Sequence, residues 1–513
     1  MPSLRDLLAS PELSTHTPDP VQIPFSNSYT ALPPRFYSRT SATPVAAPQL
    51  IKINEQLALH LGLDPAALAT PEGIAILCGN RVAAGSEPIA LAYAGHQFGH
   101  FVPQLGDGRA LLLGEVIAKD GQRYDIQLKG SGPTAFSRRG DGRAALGPVL
   151  REYILSEAMA ALGVPTTRAL AAVTTGQKVV RETVLPGAIF TRVAASHLRV
   201  GTFQYFAARS DIEGTKLLAD YAIARHYPEA AQATHPYRAL LNGVISRQAQ
   251  LVAQWMLIGF IHGVMNTDNT SISGETIDYG PCAFLEAYDP AKVYSSIDQQ
   301  GRYAYGNQPA MMLWNLTRLA ESLLPLISKE SGSDEAGLAS ARQSLETFEG
   351  TFNTALQTGL RRKLGLSTQR EGDEALALDL LSRLAANRAD FTLTFRTLCD
   401  AAASREADAR VRALFADPTS YDEWAVAWRR RLEREPASTH ERAEAMRAAN
   451  PAIIPRNHLV QAVIDAAIER EDFQPFEEML DAVSRPYDDR PELERYTRPA
   501  RPEESVIATF CGT

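Results

Sequence analysis

The chain has 513 residues, with 51 Lys or Arg against 59 Asp or Glu, so its formal charge is −8. That balance excludes a generally basic nucleic-acid binder. Hydrophobic residues make up 45% and charged residues 21%, which excludes a disordered or fibrous chain. A single core stops growing at roughly 250–300 residues, so at least two lobes are expected, with a cleft where they meet.

Four cysteines, Cys78, Cys282, Cys399 and Cys511, are too few and too widely spaced for a disulfide framework, and none forms a C-x-x-C pair. The first twenty residues lack an apolar h-region and include Asp6, Glu12 and Asp19, against a secretory or transit peptide. Residues 253–261 form the most span-like run, but it is short and followed by His262. A cytoplasmic protein without a membrane segment is expected.

To about Pro48 the chain is rich in Pro, Ser and Thr, and FSNSYTALPPRFYSRT reads as an extended arm pinned by aromatics. From Leu105 short apolar runs begin. RALLLGEVIA, a turn at residues 119–121 and RYDIQLKG form a β-hairpin, in which Tyr124, Ile126 and Leu128 alternate with Asp125, Gln127 and Lys129. The Gly-rich, basic stretch GSGPTAFSRRGDGRAALG follows, then a helix over 148–161 bounded by Pro148 and Gly163. RALAAVTT, KVVRETVL and AIFTRVA predict three further strands.

Beyond Thr202 the pattern turns helical, over 203–226, 238–262, 308–328, 337–365 and 373–401. Trp424 and Trp428 read as core, and Arg429, Arg430 and Arg431 beside them as a charged helix face rather than a nucleic-acid patch. The expected fold class is α+β and bilobal, like a protein kinase, with a small β-rich N-lobe and a larger helical C-lobe. The expected division is an N-terminal extension over 1–100, a nucleotide-binding lobe over 101–200, a helical lobe with the catalytic and metal loops over 201–430, and a C-terminal extension over 431–513.

That architecture directs attention to phosphoryl-transfer parts in chain order. Gly106 and Gly108 precede a strand, where missing side chains admit phosphates to backbone N–H groups. They form neither a Walker A loop nor a Rossmann fingerprint. Lys129 ends the next strand and points its ammonium toward the cleft. On the following helix Glu152 is its expected partner, preferred over Glu157. The strongest signal is IHGVMNTDNTSISGETIDYG, which gathers Asp268, Asn269 and Asp278. Asn269 and Asp278 supply hard oxygens suited to Mg²⁺ beside a nucleotide, and such sites accept Mn²⁺ too. Val264 occupies the place of a kinase's catalytic aspartate and cannot accept a proton, so Asp268 is the available carboxylate. Arg109, Arg138, Arg139, Arg143, Arg192 and Arg199 concentrate around the same cleft, and guanidinium forks suit phosphate. His96 and His100 have helical ligand spacing, but Gly95 and Gly99 spoil the helix and neither these nor His262 is expected to hold metal.

On YAGHQFGHFVPQLGDGRALLLGE, QLKGSGPTAFSRRGDGRAALGPVLREY, HLRVGTFQYFA, HGVMNTDNTSISGETIDYGP and NPAIIPRNHLVQ, the chain resembles the selenoprotein O (SelO) family, from about Phe25 to its end. The resemblance implies a protein adenylyltransferase with a pseudokinase fold. It would move AMP from ATP to Ser, Thr or Tyr hydroxyls of proteins and release pyrophosphate, with ATP flipped relative to kinases. By resemblance Gly106, Gly108, Arg109, Lys129, Asp141, Gly142, Arg192, Arg199 and Asp278 hold the nucleotide, and Glu152 positions Lys129. Asp268 is the proton acceptor, and Asn269 and Asp278 are the metal ligands. The implied partners are ATP and hydroxyl-bearing proteins, without nucleic acid or membrane. Cys511 stands where some relatives carry selenocysteine; the stretch DPAKVYSSID, where the resemblance to bacterial relatives implies a partner cysteine, contains none, and Cys282 is the nearest alternative for a regulatory disulfide. Two other functions stay open at this level: a kinase-type phosphotransferase, and a non-catalytic pseudokinase scaffold that binds ATP.

Overall fold

The structure, a computed structural model, describes residues 21–510. Its strands in chain order are β1 (Tyr37–Arg39), β2 (Gln49–Ile53), β3 (Ile89–Leu91), β4 (Gly95–Gln97), β5 (His100–Val102), β6 (Ala110–Ile117), β7 (Arg123–Lys129), β8 (Ala144–Ala145), β9 (Arg168–Val180), β10 (Val184–Ala194), β11 (Phe260–Ile261) and β12 (Ala283–Phe284). The main sheet runs β1-β3-β6-β7-β10-β9-β2, with β8 also on β10. Its pairings are antiparallel. Both edge strands come from the first sixty residues, so the N-terminal segment completes the sheet as well as covering it.

The hairpin of β6 and β7 forms as its alternation predicts, with Gly121 at the turn. The polar face of β7 is nevertheless buried: Asp125 is 3% exposed and Gln127 fully covered. Burial is tolerated there because each polar group has a partner, Asp125 with Arg225 and His197, Gln127 with Arg192 and Asp107, and Lys129 with Glu152. The three apolar runs after residue 167 become two long strands. Gly176 and Gly187, which look like boundaries, lie inside β9 and β10, and the register shifts between Pro186 and Ala188.

The helix Leu146–Ala161 packs against this sheet. Further on, helices at Pro236–Ile258, Gln308–Ser331 and Asp334–Lys363 follow the expected runs. Two expected helices are broken. Ser210, with φ 54°, separates Val200–Ala207 from Ile212–His226, and Asp211 caps the second by accepting from Gly214 N. Arg388, with φ 51°, separates Asp373–Asn387 from Phe391–Ala403, which Asp390 caps. The architecture is thus a mixed one, an antiparallel sheet followed by a predominantly helical portion.

Three features fasten the parts together. Phe36 of the N-terminal arm packs on Phe206 with centroids 4.3 Å apart, and Tyr29 meets Tyr221 edge-on at 5.5 Å. The helices Asn457–Arg470 and Gln474–Ser484 brace Leu146–Ala161, with Phe476 edge-on to Tyr153 at 5.4 Å. Trp424 and Trp428 stack in a core at 5.2 Å, while Arg429 pairs with Asp408 and Arg431 with Asp373 and Glu435. Among the described residues no helix is long and apolar enough to cross a membrane.

Candidate active site

A cleft of about 460 Å³ opens between the sheet and the loops over residues 264–280. Gly108, Arg109, Lys129, Glu152, Arg192 and Arg199 line it from one side, and Asp268, Asn269 and Asp278 from the other. At its centre is an ion cluster. Lys129 Nζ donates to Glu152 Oε2 at 2.5 Å and to Asp278 Oδ1 at 3.1 Å. Arg192 Nη1 donates to Glu152 Oε1 at 3.1 Å and Asp278 Oδ1 at 2.7 Å, and Arg199 Nη1 to Asp278 Oδ2 at 2.6 Å. Glu157 lies elsewhere, bound by Arg168 and Asn54.

Register explains this convergence. Lys129 and Arg192 sit on neighbouring strands, where Arg192 is directly opposite Gln127 and accordingly donates twice to its Oε1. Arg199 opens the helix Val200–Ala207, with its guanidinium 4.9 Å from the Tyr93 ring. The helix Leu146–Ala161 supplies Glu152, and its neighbour Arg151 donates to the carbonyls of Gly280 and Cys282, tying the helix to the Asp278 loop. Asp278 itself takes a left-handed φ of 65°. Flanking anchors hold it there: Tyr279 and Thr166 share a hydrogen bond, and His262 Nε2 donates to Ile277 O at 2.9 Å.

The two aspartates are in opposite electrical settings. Burial alone would raise Asp278, but Arg192, Arg199 and Lys129 outweigh it and hold the carboxyl well below its usual range. Burial pushes Asp268 up to about 6, because Arg199 offsets only part of the desolvation. Its Oδ2 accepts from Gln97 Nε2 at 3.2 Å, and its buried Oδ1 has no partner among the described residues. Asn269 donates Nδ2 to Val264 O at 2.9 Å, which leaves its carbonyl oxygen as the ligating end.

The glycine turn has a local cause. Gly106 has φ +65°, and a Cβ there would stand 2.2 Å from the Phe136 ring. Thr134 Oγ1 donates to Asp107 O at 2.7 Å and Ser137 Oγ to Gly108 O, so the basic loop is clamped onto the turn. Gly108 lines the cleft; Gly106 stands behind it. Asp141 and Gly142 are not brought into the lining: Asp141 pairs with Arg181 at 2.9 Å, and Gly142 backs onto Gly132. His96 accepts from Gln204, His262 is a backbone anchor and His100 is exposed, so the three histidines form no cluster. Cys282 is buried, and Cys511 lies outside the described residues.

Sequence reasoning missed Tyr93, Gln97, Asp107 and Asn266, all of which line the cleft. Asp107 is buried between Leu91 N and Gln127 Nε2, and burial pushes it up to about 6. The stretch YAGHQFGHFVPQLGDG carries three of the four, but it has no strand or helix period that would aim a side chain.

A cleft floored by guanidinium and ammonium groups, with two carboxyls in contrasting settings, defines an enzyme that handles a polyphosphate nucleotide. Comparison with known proteins is specific. Residues 20–484 match the family described as protein adenylyltransferase SelO, and the chain belongs to that family. It is 64% identical over 493 residues to the protein nucleotidyltransferase YdiU of a Bradyrhizobium sp., covering 96% of this chain and all of the relative. It is likewise 64% identical over 496 residues to YdiU of Methylorubrum populi, covering 96% and 99%, and 61% identical over 490 residues to that of Rhodopseudomonas palustris, again 96% and 99%. The protein is a nucleotidyltransferase of the protein adenylyltransferase type, with ATP as its nucleotide substrate.

Proposed function

We propose that the enzyme moves AMP from ATP to a hydroxyl side chain of a protein acceptor and releases pyrophosphate, within a kinase-like bilobal arrangement of sheet and helices. The observation that carries this reading is the pair of buried carboxyls in one cleft. Asp278 is kept ionised by three cations, whereas Asp268 keeps a raised pKa and, among the described residues, touches no cation through its side chain. Environments that push two carboxyls apart separate a charge-holding role from a proton-accepting one.

The triphosphate brings charge that Lys129, Arg192 and Arg199 are placed to receive, with Arg109 at the cleft wall. Arg192 is 1% exposed and Arg199 3%, so the guanidinium forks lie on the floor. This supports a flipped nucleotide with its triphosphate directed inward onto that floor. Asp268 accepts the proton of the acceptor hydroxyl as that oxygen attacks the α-phosphorus. The bond to the β-phosphate breaks, and pyrophosphate leaves against Lys129, Arg192 and Arg199.

Asn269 and Asp278 fit a Mg²⁺ or Mn²⁺ ion. Their oxygens are hard, and among the described residues no group of three or more His, Cys, Asp or Glu gathers as a metal cage. Two protein ligands completed by phosphate and water oxygens is the usual magnesium pattern. What such an ion supplies is neutralisation of phosphate charge. The test is incubation of the wild type and Asp278→Ala with ATP and Mg²⁺, followed by intact-mass spectrometry. A gain of one AMP in the wild type alone is expected. A phosphate increment, or undiminished AMP transfer in Asp278→Ala, overturns the reading.

A further inference from the structure

The hairpin of β4 and β5 is fastened to the loop of Asp268 at three consecutive residues. His96 N donates to Thr267 Oγ1 at 2.7 Å, Gln97 Nε2 to Asp268 Oδ2 at 3.2 Å, and Phe98 N to Asn266 Oδ1 at 3.0 Å. The accepting side chains are themselves locked, since Thr267 Oγ1 donates to Gln204 Oε1 at 2.6 Å and Tyr303 donates to Asn266 Oδ1 at 2.7 Å. Approach is close enough to require a glycine: a Cβ on Gly95 would stand 2.6 Å from Asp268 Oδ1. Phe98 takes a left-handed φ of 51°, a conformation a bulky residue rarely adopts, and its ring rests 5.1 Å from Tyr303.

This geometry bears on one side chain. Among the described residues Gln97 is the side chain that hydrogen bonds the Asp268 carboxylate; Arg199 donates to the Asp268 backbone carbonyl instead. Without the Gln97 amide the carboxylate keeps its place, set by the backbone and Gly95, but loses what fixes its plane and so the direction of its lone pairs. Proton transfer needs that direction to within a few tenths of an ångström and some 10–20°.

We propose that Gln97 is a positioning residue for adenylyl transfer, its amide orienting the Asp268 carboxylate toward the incoming acceptor hydroxyl. The inference rests on Asp268 being the proton acceptor, and the test separates the two. Gln97→Met keeps length and volume while removing the donor. The rate of AMP transfer onto the protein itself is followed by intact mass at saturating ATP and Mg²⁺, in the wild type, Gln97→Met, Asp268→Ala and the double variant, with ATP affinity measured by calorimetry.

Gln97→Met is expected to slow transfer about tenfold to a hundredfold with ATP affinity unchanged within about twofold. In the Asp268→Ala background the same change is expected to cost less than about twofold, because a residue that acts only through Asp268 has nothing left to orient. Equal fold-losses in both backgrounds, a normal rate for Gln97→Met, or a parallel loss of ATP affinity each overturn the proposal. Full activity in Asp268→Ala sinks the proton-acceptor reading itself, and this inference with it. If melting shows that Gln97→Met does not fold, Gln97→Leu carries the same comparison, since it is close in size and likewise lacks the donor.

Discussion

Asp278 is the residue on which the cleft's charge converges, with Lys129, Arg192 and Arg199 sharing its two oxygens. Asp278→Ala removes the proposed metal ligand and leaves Lys129 and Arg192 sharing Glu152 and Arg199 without its carboxylate partner, so metal-dependent ATP binding is expected to disappear. Calorimetric titration with ATP in Mg²⁺ and in chelator checks this: the wild type should differ between the two media and the variant should not. Asp268→Ala is expected to behave otherwise, slowing transfer by about a hundredfold or more while ATP affinity changes little, because its side chain contacts none of the phosphate-facing cations. Lys129→Ala takes away both the proposed phosphate contact and the partner that Glu152 holds at 2.5 Å. Near-normal transfer in that variant would remove Lys129 from the site.

At the scale of elements, the helix Leu146–Ala161 carries both Glu152 and Arg151, and its outer face is covered by the C-terminal helices. Phe476 is fully buried against Tyr153, so Phe476→Ala is expected to cost about 3–5 kcal/mol of stability. Urea unfolding measures the loss, and at temperatures where the variant remains folded, transfer should fall as the helix loosens its hold on Lys129 and Gly280. The helix was legible because Pro148, Gly163 and its apolar spacing agree. The breaks at Ser210 and Arg388 were not, since left-handed backbone at a Ser or an Arg leaves no compositional mark and tertiary packing alone selects it. The Lys129, Glu152 and Asp278 cluster was legible from residue type and chain order, because a strand-end Lys, a helix Glu and a DYG Asp follow one another in the order of a kinase's phosphate-handling parts, whereas each alone would read as a surface or turn residue. Gln97 was not, for an amide on a three-residue strand between two glycines acquires its role only when β4 folds onto a loop far along the chain.

Across the whole molecule, the sheet and the helical portion are joined by a second buried charge network, farther along the same face of β7. Asp125 accepts from Arg225 at 2.5 Å and from His197 Nδ1 and N, each at 2.9 Å. Arg225 also reaches Glu115, which receives Ser28 and Tyr29 of the N-terminal arm. Burial would raise Asp125, yet Arg225 and His197 outweigh it and bring it down to about 2. A carboxyl whose folded pKa lies below its unfolded value adds stability that is present above the unfolded pKa and is lost as pH falls through the folded one. The window is therefore from about 4 down to about 2, and the shift from 3.8 corresponds to about 2 kcal/mol. His197, lowered by burial to about 4, and His226, lowered by burial to about 3, begin to lose stability higher, below pH 6.5. Glu275, raised by burial to about 7, opposes them, since its contribution is complete below 4.5 and fades as pH rises toward 7. Asp125 is itself one of the groups that raise His197, His226 and Glu275, so Asp125→Asn also alters the curve between pH 7 and 4. The variant is expected to be less stable than wild type in urea unfolding by a margin that is steady only above about pH 8, where Glu275 is ionised in both, and the two curves should converge as pH falls from 4 toward 2. A margin that persists unchanged at pH 3 would show that Asp125 holds the joint by shape rather than by charge.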